Sequence, residues 1–472
     1  MSEAIATDIC VIGAGAGGLS VAAGAAQMGA RVVLVEAAAM GGDCLNHGCV
    51  PSKALLAAAA AAQAVRAGGP GVAGQTPVVD YAAAMDHVAA TIAGIAPHDS
   101  QERFEGLGVR VIRDWGRFTS ANTLTAGGAT ISARRFVIAT GSRPAIPPVP
   151  GLEEVPFLTN ESLFGLRAAP DHLLVLGGGP IGCEMAQAHR RLGCRVTLVE
   201  AGRCLGRDDP EAAALLVAAL RAEGVEVLEG VAVERAGYGE QGLALWLADG
   251  RQVTGSHLLV ATGRRAALDR LNLPVAGVET GPQGVRVDAG LRTTNRRIFA
   301  IGDAAGLGQF THLAGYHAGL VIRSALLGLP VRARGDHIPR ATYTTPTLAQ
   351  VGLTETEARA AHGAAVTVIH EPFAGNDRAR AMARTEGFIK LMVVRGRPVG
   401  VTVVGPDADE IIGLWALMLA NRLKLSAVAG TVLPYPTLGE ISKRASGTYF
   451  SPKLFDNPVV KRGVRLIQRV LP

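Results

Sequence analysis

One pattern constrains this chain more than any other, and it occurs twice. The apolar run Ile9-Cys10-Val11-Ile12 leads into Gly13, Gly15 and Gly18, a small-residue helix, and a strand Arg31 to Val35 closed by Glu36. The run Leu173 to Leu176 leads into Gly177, Gly179 and Gly182, a helix, and a strand Arg195 to Val199 closed by Glu200. Gly13 to Glu36 spans 23 positions, and so does Gly177 to Glu200. In each copy the first glycine permits a tight turn, the second lets backbone approach a pyrophosphate, and the third lets helix and strand pack closely. The helix N-terminus offers free N–H groups to phosphate, and the terminal carboxylate accepts from a ribose. Two copies in one chain imply two dinucleotides brought together for electron transfer. At the second site Glu200 opposes a 2′-phosphate, which favours NAD(H) over NADP(H), although Arg203 lies nearby and softens the preference.

Composition agrees with buried parallel strands joined by tight turns: 60 of 472 residues are glycine. At 49% hydrophobic and 18% charged, the chain is long and apolar enough for about three domains. The net charge of +6 is dispersed except near the C-terminus, which argues against a nucleic-acid partner. Six cysteines are too sparse for a secreted disulfide scaffold. The first residues carry Glu3 and Asp8 and no base, unlike a signal peptide. Residues 9–30 lack charge, but the glycine run inside them reads as strand, turn and helix rather than a membrane span. The expectation is a soluble, cytoplasmic protein.

The segment 41–53 reads GGDCLNHGCVPSK. Pro51 suits the first turn of a helix, and 53–64 is strongly helix-prone. Cys49 then sits near a helix N-terminus, where the dipole favours thiolate. Spacing alone leaves Cys44 and Cys49 open to three readings: a redox pair, half a zinc site, or two buried thiols. No second pair stands at ligand spacing among Cys10, Cys183, Cys194 and Cys204.

The segment from Cys44 to Lys53, following a first G-x-G-x-x-G, resembles the redox signature of the flavin-dependent pyridine nucleotide-disulfide oxidoreductases. Further matches follow in order: Ala139-Thr140-Gly141, Ala261-Thr262-Gly263, IFAIGDAA at 298–305, and YTTPTLAQVGLTE at 343–355. The resemblance runs from about residue 7 to about residue 450. It implies an α/β fold with two Rossmann-like dinucleotide-binding domains and a C-terminal α+β dimerisation domain. The expected boundaries are 1–150 with 265–335 for FAD, 151–264 for NAD(P), and 336–472 for a homodimer interface. It implies FAD bound by Gly13, Gly15, Gly18, Glu36, Gly141 and Asp303, and a nicotinamide cofactor bound by Gly177, Gly179, Gly182, Glu200 and Gly263. Hydride passes from NAD(P)H to flavin, and electrons continue to a Cys44–Cys49 disulfide. Cys49 is the thiol in charge-transfer contact with flavin, and Cys44 the interchange thiol. Lys53 lies near the flavin and pairs with Glu184. A helix beginning near Thr311 aims its positive end at the reduced flavin, and His312 and His317 on it serve packing or surface roles.

The sequence departs from its relatives near the C-terminus. Dithiol-exchanging members carry His-Pro-Thr there, with Glu five residues after the His, and this His of the partner subunit shuttles the thiol proton. Here 433–440 reads LPYPTLGE: Tyr435 stands at the His position, and Glu440 keeps its place. A phenol with a pKa of about 10 is a poor base beside an imidazole of about 6.5. Thr437 to Glu440 also spells a helix capping box. Tyr435 resembles mercuric reductase, yet the last cysteine is Cys204, so no C-terminal cysteine pair follows, and no N-terminal C-x-x-C precedes. Finally, 453–472 reads as a basic amphipathic tail, with Val460, Val464, Ile467 and Leu471 on one face and Lys461, Arg465 and Arg469 on another. It suits packing on its own dimer or contact with a membrane surface or membrane protein. The reading is a mercuric-reductase-like NAD(P)H flavoprotein acting on a small-molecule, disulfide or soft-metal acceptor. The alternatives are a dihydrolipoamide dehydrogenase and a non-catalytic flavin-binding adaptor.

Overall fold

The computed structural model describes residues 3–240 and 242–471. The chain divides into two compact units, one of 1–66, 76–202 and 225–334, the other of 67–75, 203–224 and 335–472.

The first unit is built on two mainly parallel sheets. In one, Val109–Ile112, Val32–Val35, Glu3–Ile12 and Ala129–Ile138 lie side by side in parallel, and Ile298–Ala300 joins the last of them. Two short antiparallel strands, Thr123–Ala126 and Arg117–Ser120, extend that side. In the other, the parallel order is Glu226–Glu229, Arg195–Glu200, His172–Leu176 and His257–Val260. Both central strands read as unbroken apolar runs because both of their faces are covered. Ile9 through Ile12 are all buried, as are Leu173 through Leu176. The uncharged stretch 9–30 is strand, turn and the helix Ala16–Gln27. Its strand is longer than the apolar run suggests, because Glu3 to Thr7 pair with Ala129 to Ala133.

The second unit centres on a five-stranded antiparallel sheet, ordered Arg340–Thr342, Thr347–Gly352, Arg397–Gly405, Phe388–Val394 and Val366–Pro372. The helices Ala408–Ala420 and Glu440–Phe455 cover it, and the buried Trp415 anchors the contact by donating its indole N–H to Ser442 Oγ at 3.1 Å. The helix Pro210–Ala222 groups with this unit. Buried Lys390 ties it there, with its ammonium 3.1 Å from Asp209 and 2.7 Å from Glu211.

Candidate redox and dinucleotide site

The two glycine turns are near copies of each other in space. Gly13 has φ +107° and Gly177 φ +111°. The N–H of Gly13 donates to Val35 O at 2.8 Å and that of Gly177 to Val199 O at 2.9 Å. A Cβ on Gly18 meets Gly13 O at 1.8 Å, and one on Gly182 meets Gly177 O at 1.9 Å. These glycines are required by close packing of helix against strand. Gly15 and Gly179 differ: the nearest protein atom to a Cβ on Gly15 is 3.9 Å away, and nothing stands within 4 Å at Gly179. Each caps the helix that follows, so the space beside each lies at free N–H groups.

The terminal carboxylates do more than the sequence suggested. Glu36 accepts from the N–H of Ala14 and of Ala38, both at 2.6 Å. Glu200 accepts from Gly178 N–H at 2.7 Å and Gly202 N–H at 2.8 Å. Each carboxylate therefore clasps the backbone of its own glycine turn, with lone pairs left over for further donors.

Residues around the first turn fit a bound dinucleotide. Thr140 Oγ1 is, among the described residues, the buried side-chain oxygen that lacks a hydrogen-bond partner. Its Cα lies 3.1 Å from where a Cβ on Gly13 would stand. An orphaned buried hydroxyl next to the first glycine turn is what a polar ligand completes. Gly141, at φ +67°, turns the chain beside it, as Gly263, at φ +136°, does at the second site. Asp303 lies in the turn Gly302–Ala305 and accepts from Ser142 Oγ at 2.5 Å. Burial pushes its carboxyl above the ordinary range, partly offset by that hydrogen bond. Arg264 Nε donates to the same Ser142 at 2.7 Å.

Cys44 lies in the short helix Gly42–Asn46, and Cys49 is the first residue of the helix Cys49–Ala67. The loop around them is tied down from several sides. Asp43 receives Arg264 at 3.1 Å and Asn160 at 2.9 Å, and Asn160 also donates to His47 O at 3.1 Å. Cys44 is half-buried and Cys49 exposed, and the two thiols are close enough to influence each other. Cys49 Sγ lies 3.3 Å from Thr311 Oγ1, at the start of the helix Thr311–Leu327. The bond from Cys44, aided by Thr311 and the Lys53 charge, brings the Cys49 thiol down to about 6 from its usual 9.0. Cys44 moves the other way, raised by the same pairing and by burial. The pairing thus favours the thiolate at Cys49 and the protonated thiol at Cys44. Lys53 Nζ stands 2.8 Å from Glu184 Oε2, whose side chain is only 5% exposed.

The remaining cysteines are buried, and burial raises the thiols of Cys10 and Cys194. No group of three or more His, Cys, Asp or Glu side chains placed to hold a metal ion occurs among the described residues. His317 is buried and accepts from Gly302 N–H at 3.2 Å, and burial pushes its imidazole down to about 4. His312 stacks on Phe310, with ring centroids 5.3 Å apart.

Tyr435 and Glu440 belong to the other unit. The exposed Tyr435 donates its phenol to Asp377 Oδ2 at 2.9 Å, and that carboxylate raises the phenol pKa further. Glu440 opens its helix and accepts from Thr437 N–H at 3.3 Å. The capping box is only half formed: Gly439 stands at the cap, and no side-chain bond comes from Thr437. Sequence reasoning missed Thr140, Ser142, Asp43, Arg264 and Asp377 as site residues. Thr311 was legible only as the start of a helix; its contact with Cys49 spans 262 positions.

The model of the pyridine nucleotide-disulphide oxidoreductase family matches residues 7–318, and the family's dimerisation domain matches 338–446. A mercuric reductase from Streptomyces lividans is 36% identical over 460 residues, covering 94% of this chain and 96% of its own. A dihydrolipoyl dehydrogenase from Geobacillus stearothermophilus is 33% identical over 456 residues, covering 94% and 96%. Among solved structures, the HOCl-induced flavoprotein disulfide reductase RclA from Escherichia coli is similar at TM-score 0.83 and 29% identity, covering 93% of this chain and 99% of that one. LpdA from Mycobacterium tuberculosis reaches TM-score 0.86 at 27% identity, covering 94% and 99%. With its twin glycine turns and its polarised cysteine pair, the chain belongs to the pyridine nucleotide-disulphide oxidoreductases, FAD- and pyridine-nucleotide-using enzymes with a dimerisation domain of their own.

Proposed function

We propose that this enzyme passes electrons from NAD(P)H to a soft, thiophilic metal ion, in the manner of a mercuric reductase, rather than to an organic disulfide. One observation carries the reading. Tyr435 stands where disulfide-exchanging relatives keep a histidine, and its phenol is committed to Asp377 and raised in pKa. Such a group takes up no thiol proton near neutrality. A metal ion that binds sulfur directly needs no such shuttle. The similarity to mercuric reductases supports this, as does a copper(II) complex described for RclA.

Gly13, Gly15, Gly18, Glu36, Gly141 and Asp303 hold FAD, with Thr140 as a further polar contact. Gly177, Gly179, Gly182, Glu200 and Gly263 hold the nicotinamide nucleotide, and Glu200 disfavours a 2′-phosphate, hence NADH. Bound FAD supplies the relay of an electron pair between nicotinamide and the cysteines. Cys49, favoured as a thiolate by the bond from Cys44, by Thr311 and by the Lys53 charge, keeps its charge without a base. Cys44 holds the proton at rest and loses it when a soft cation binds its sulfur. Lys53 is positioned by Glu184 close to the thiolate. The reaction balances as NAD(P)H and a divalent metal ion giving NAD(P)⁺, the zero-valent metal and a proton. In the homodimer, Tyr435 and Glu440 face the cysteines of the other subunit.

The test is NADH oxidation by the FAD-loaded enzyme with a mercuric thiol complex and, separately, with lipoamide. Metal-dependent turnover that vanishes in Cys44→Ser and Cys49→Ser supports the reading. Lipoamide turnover faster than metal turnover overturns it, in favour of a dihydrolipoamide dehydrogenase.

A further inference from the structure

The helix Pro458–Val470 lies beyond the matched dimerisation domain, which ends at residue 446, and nothing in the protomer covers it. No residue of it is buried, and Val459, Val460, Val464, Leu466, Ile467 and Val470 are all exposed. At about 100° per residue these six fall on one continuous arc of about 160°. The opposite face carries Lys461, Arg462, Arg465 and Arg469, and no acid occurs from 457 to 471. Asn457 starts the helix afresh by accepting from the N–H groups of Val459 and Val460. Just before that cap, Leu454 and Phe455 are exposed as well, beside Lys453.

From these features we infer that residues 457–471 form a docking helix for an anionic lipid surface. A wide apolar face opposite a purely cationic one is the profile of a helix lying in a membrane interface, with side chains in the acyl boundary and bases at the headgroups. The absence of acids on that helix fixes the sign of its partner. Two such helices brought together repel, so a second copy of the tail is the poorer occupant. In the family's dimer each enzyme presents two tails, and the paired contacts reinforce each other.

The experiment is co-sedimentation of the FAD-loaded, full-length enzyme with vesicles of phosphatidylcholine, alone or mixed with phosphatidylglycerol. The expected result is sedimentation with the anionic vesicles only, reversed by high salt. Arg465→Gln with Arg469→Gln weakens partitioning by about tenfold or more. Val464→Asp with Ile467→Asp abolishes it, and so does truncation after Asp456, while reductase turnover persists in every variant. Wild-type protein that stays in the supernatant overturns the inference. So does binding that is indifferent to phosphatidylglycerol, or truncation that converts a dimer to monomers in light scattering, which makes the helix a subunit contact.

Discussion

Replacing Thr311 with valine removes one hydroxyl and keeps the shape, so it isolates the bond that reaches Cys49 across 3.3 Å. A hydrogen bond to a charged group contributes about 1.5–3 kcal/mol. Cys49 is solvent-accessible, so screening puts this bond at the low end, about 1.5 kcal/mol or one pKa unit. The thiol starts at about 6. A rise of about one unit lowers the thiolate fraction at pH 7 from about 90% to about 50%. The assay is the ultraviolet absorbance of thiolate against pH in the reduced enzyme, with Cys49→Ser as the control that lacks this thiol. The sign follows from the direction of the shift: the signal is full above the midpoint and disappears as pH falls through it. Thr311→Val moves that midpoint up, while Thr311→Ser, which keeps the hydroxyl, does not. Identical midpoints in Thr311→Val and wild type rule this out, because the thiolate then owes nothing to the Thr311 hydroxyl.

Further outcomes follow from the same geometry. Lys53→Met leaves the buried Glu184 without its ammonium and lowers stability by about 1–3 kcal/mol in urea unfolding, discounted for the partial exposure of Lys53; Lys53→Met with Glu184→Gln recovers most of the loss, and strict additivity contradicts the pairing. Gly179→Ala meets no protein atom within 4 Å, so it keeps fold and flavin content while raising the KM for nicotinamide nucleotide about tenfold or more; Gly182→Ala, whose Cβ meets Gly177 O at 1.9 Å, loses stability instead. His189 and His317 are buried, with imidazoles pushed down to about 4, so the unfolded chain binds protons first as pH falls below about 6.5. Stability is full above that value and declines by about 1.4 kcal/mol per pH unit for each imidazole down to about pH 4. Urea midpoints between pH 7 and 5 check this, and a flatter decline is expected in His189→Gln with His317→Gln.

What was legible in the sequence is local and periodic. The paired glycine turns could be read because each glycine answers to a steric demand within a few residues, as Gly18 against Gly13 O illustrates. Cys49 at a helix start was legible from Pro51 and the alanine run after it. What escaped reading is long-range. The clasp of Glu36 and Glu200 on their own turns, the bridge from Arg264 to Asp43, and the bond from Tyr435 to Asp377 join residues far apart, with no local signal. Beyond the segment 343–355, which holds the strand Thr347–Gly352, the antiparallel sheet of the second unit has no short motif, and its helix Pro210–Ala222 comes from amid the residues of the second parallel sheet, held by Lys390. In sequence the tail is one amphipathic stretch from 453. Asn457 and Pro458 break it into the end of one helix and the start of another.

The proposed storage of an electron pair by Cys44 and Cys49 next to the flavin is open to direct test. The direct measurement is an anaerobic reductive titration of the oxidised, FAD-loaded enzyme. The expected result is uptake of one electron pair with a long-wavelength band and an unbleached flavin, then a second pair that bleaches it; Cys49→Ser takes up the flavin's pair alone, with no such band. Wild-type flavin that bleaches from the first equivalent, with a total uptake equal to that of Cys49→Ser, contradicts it.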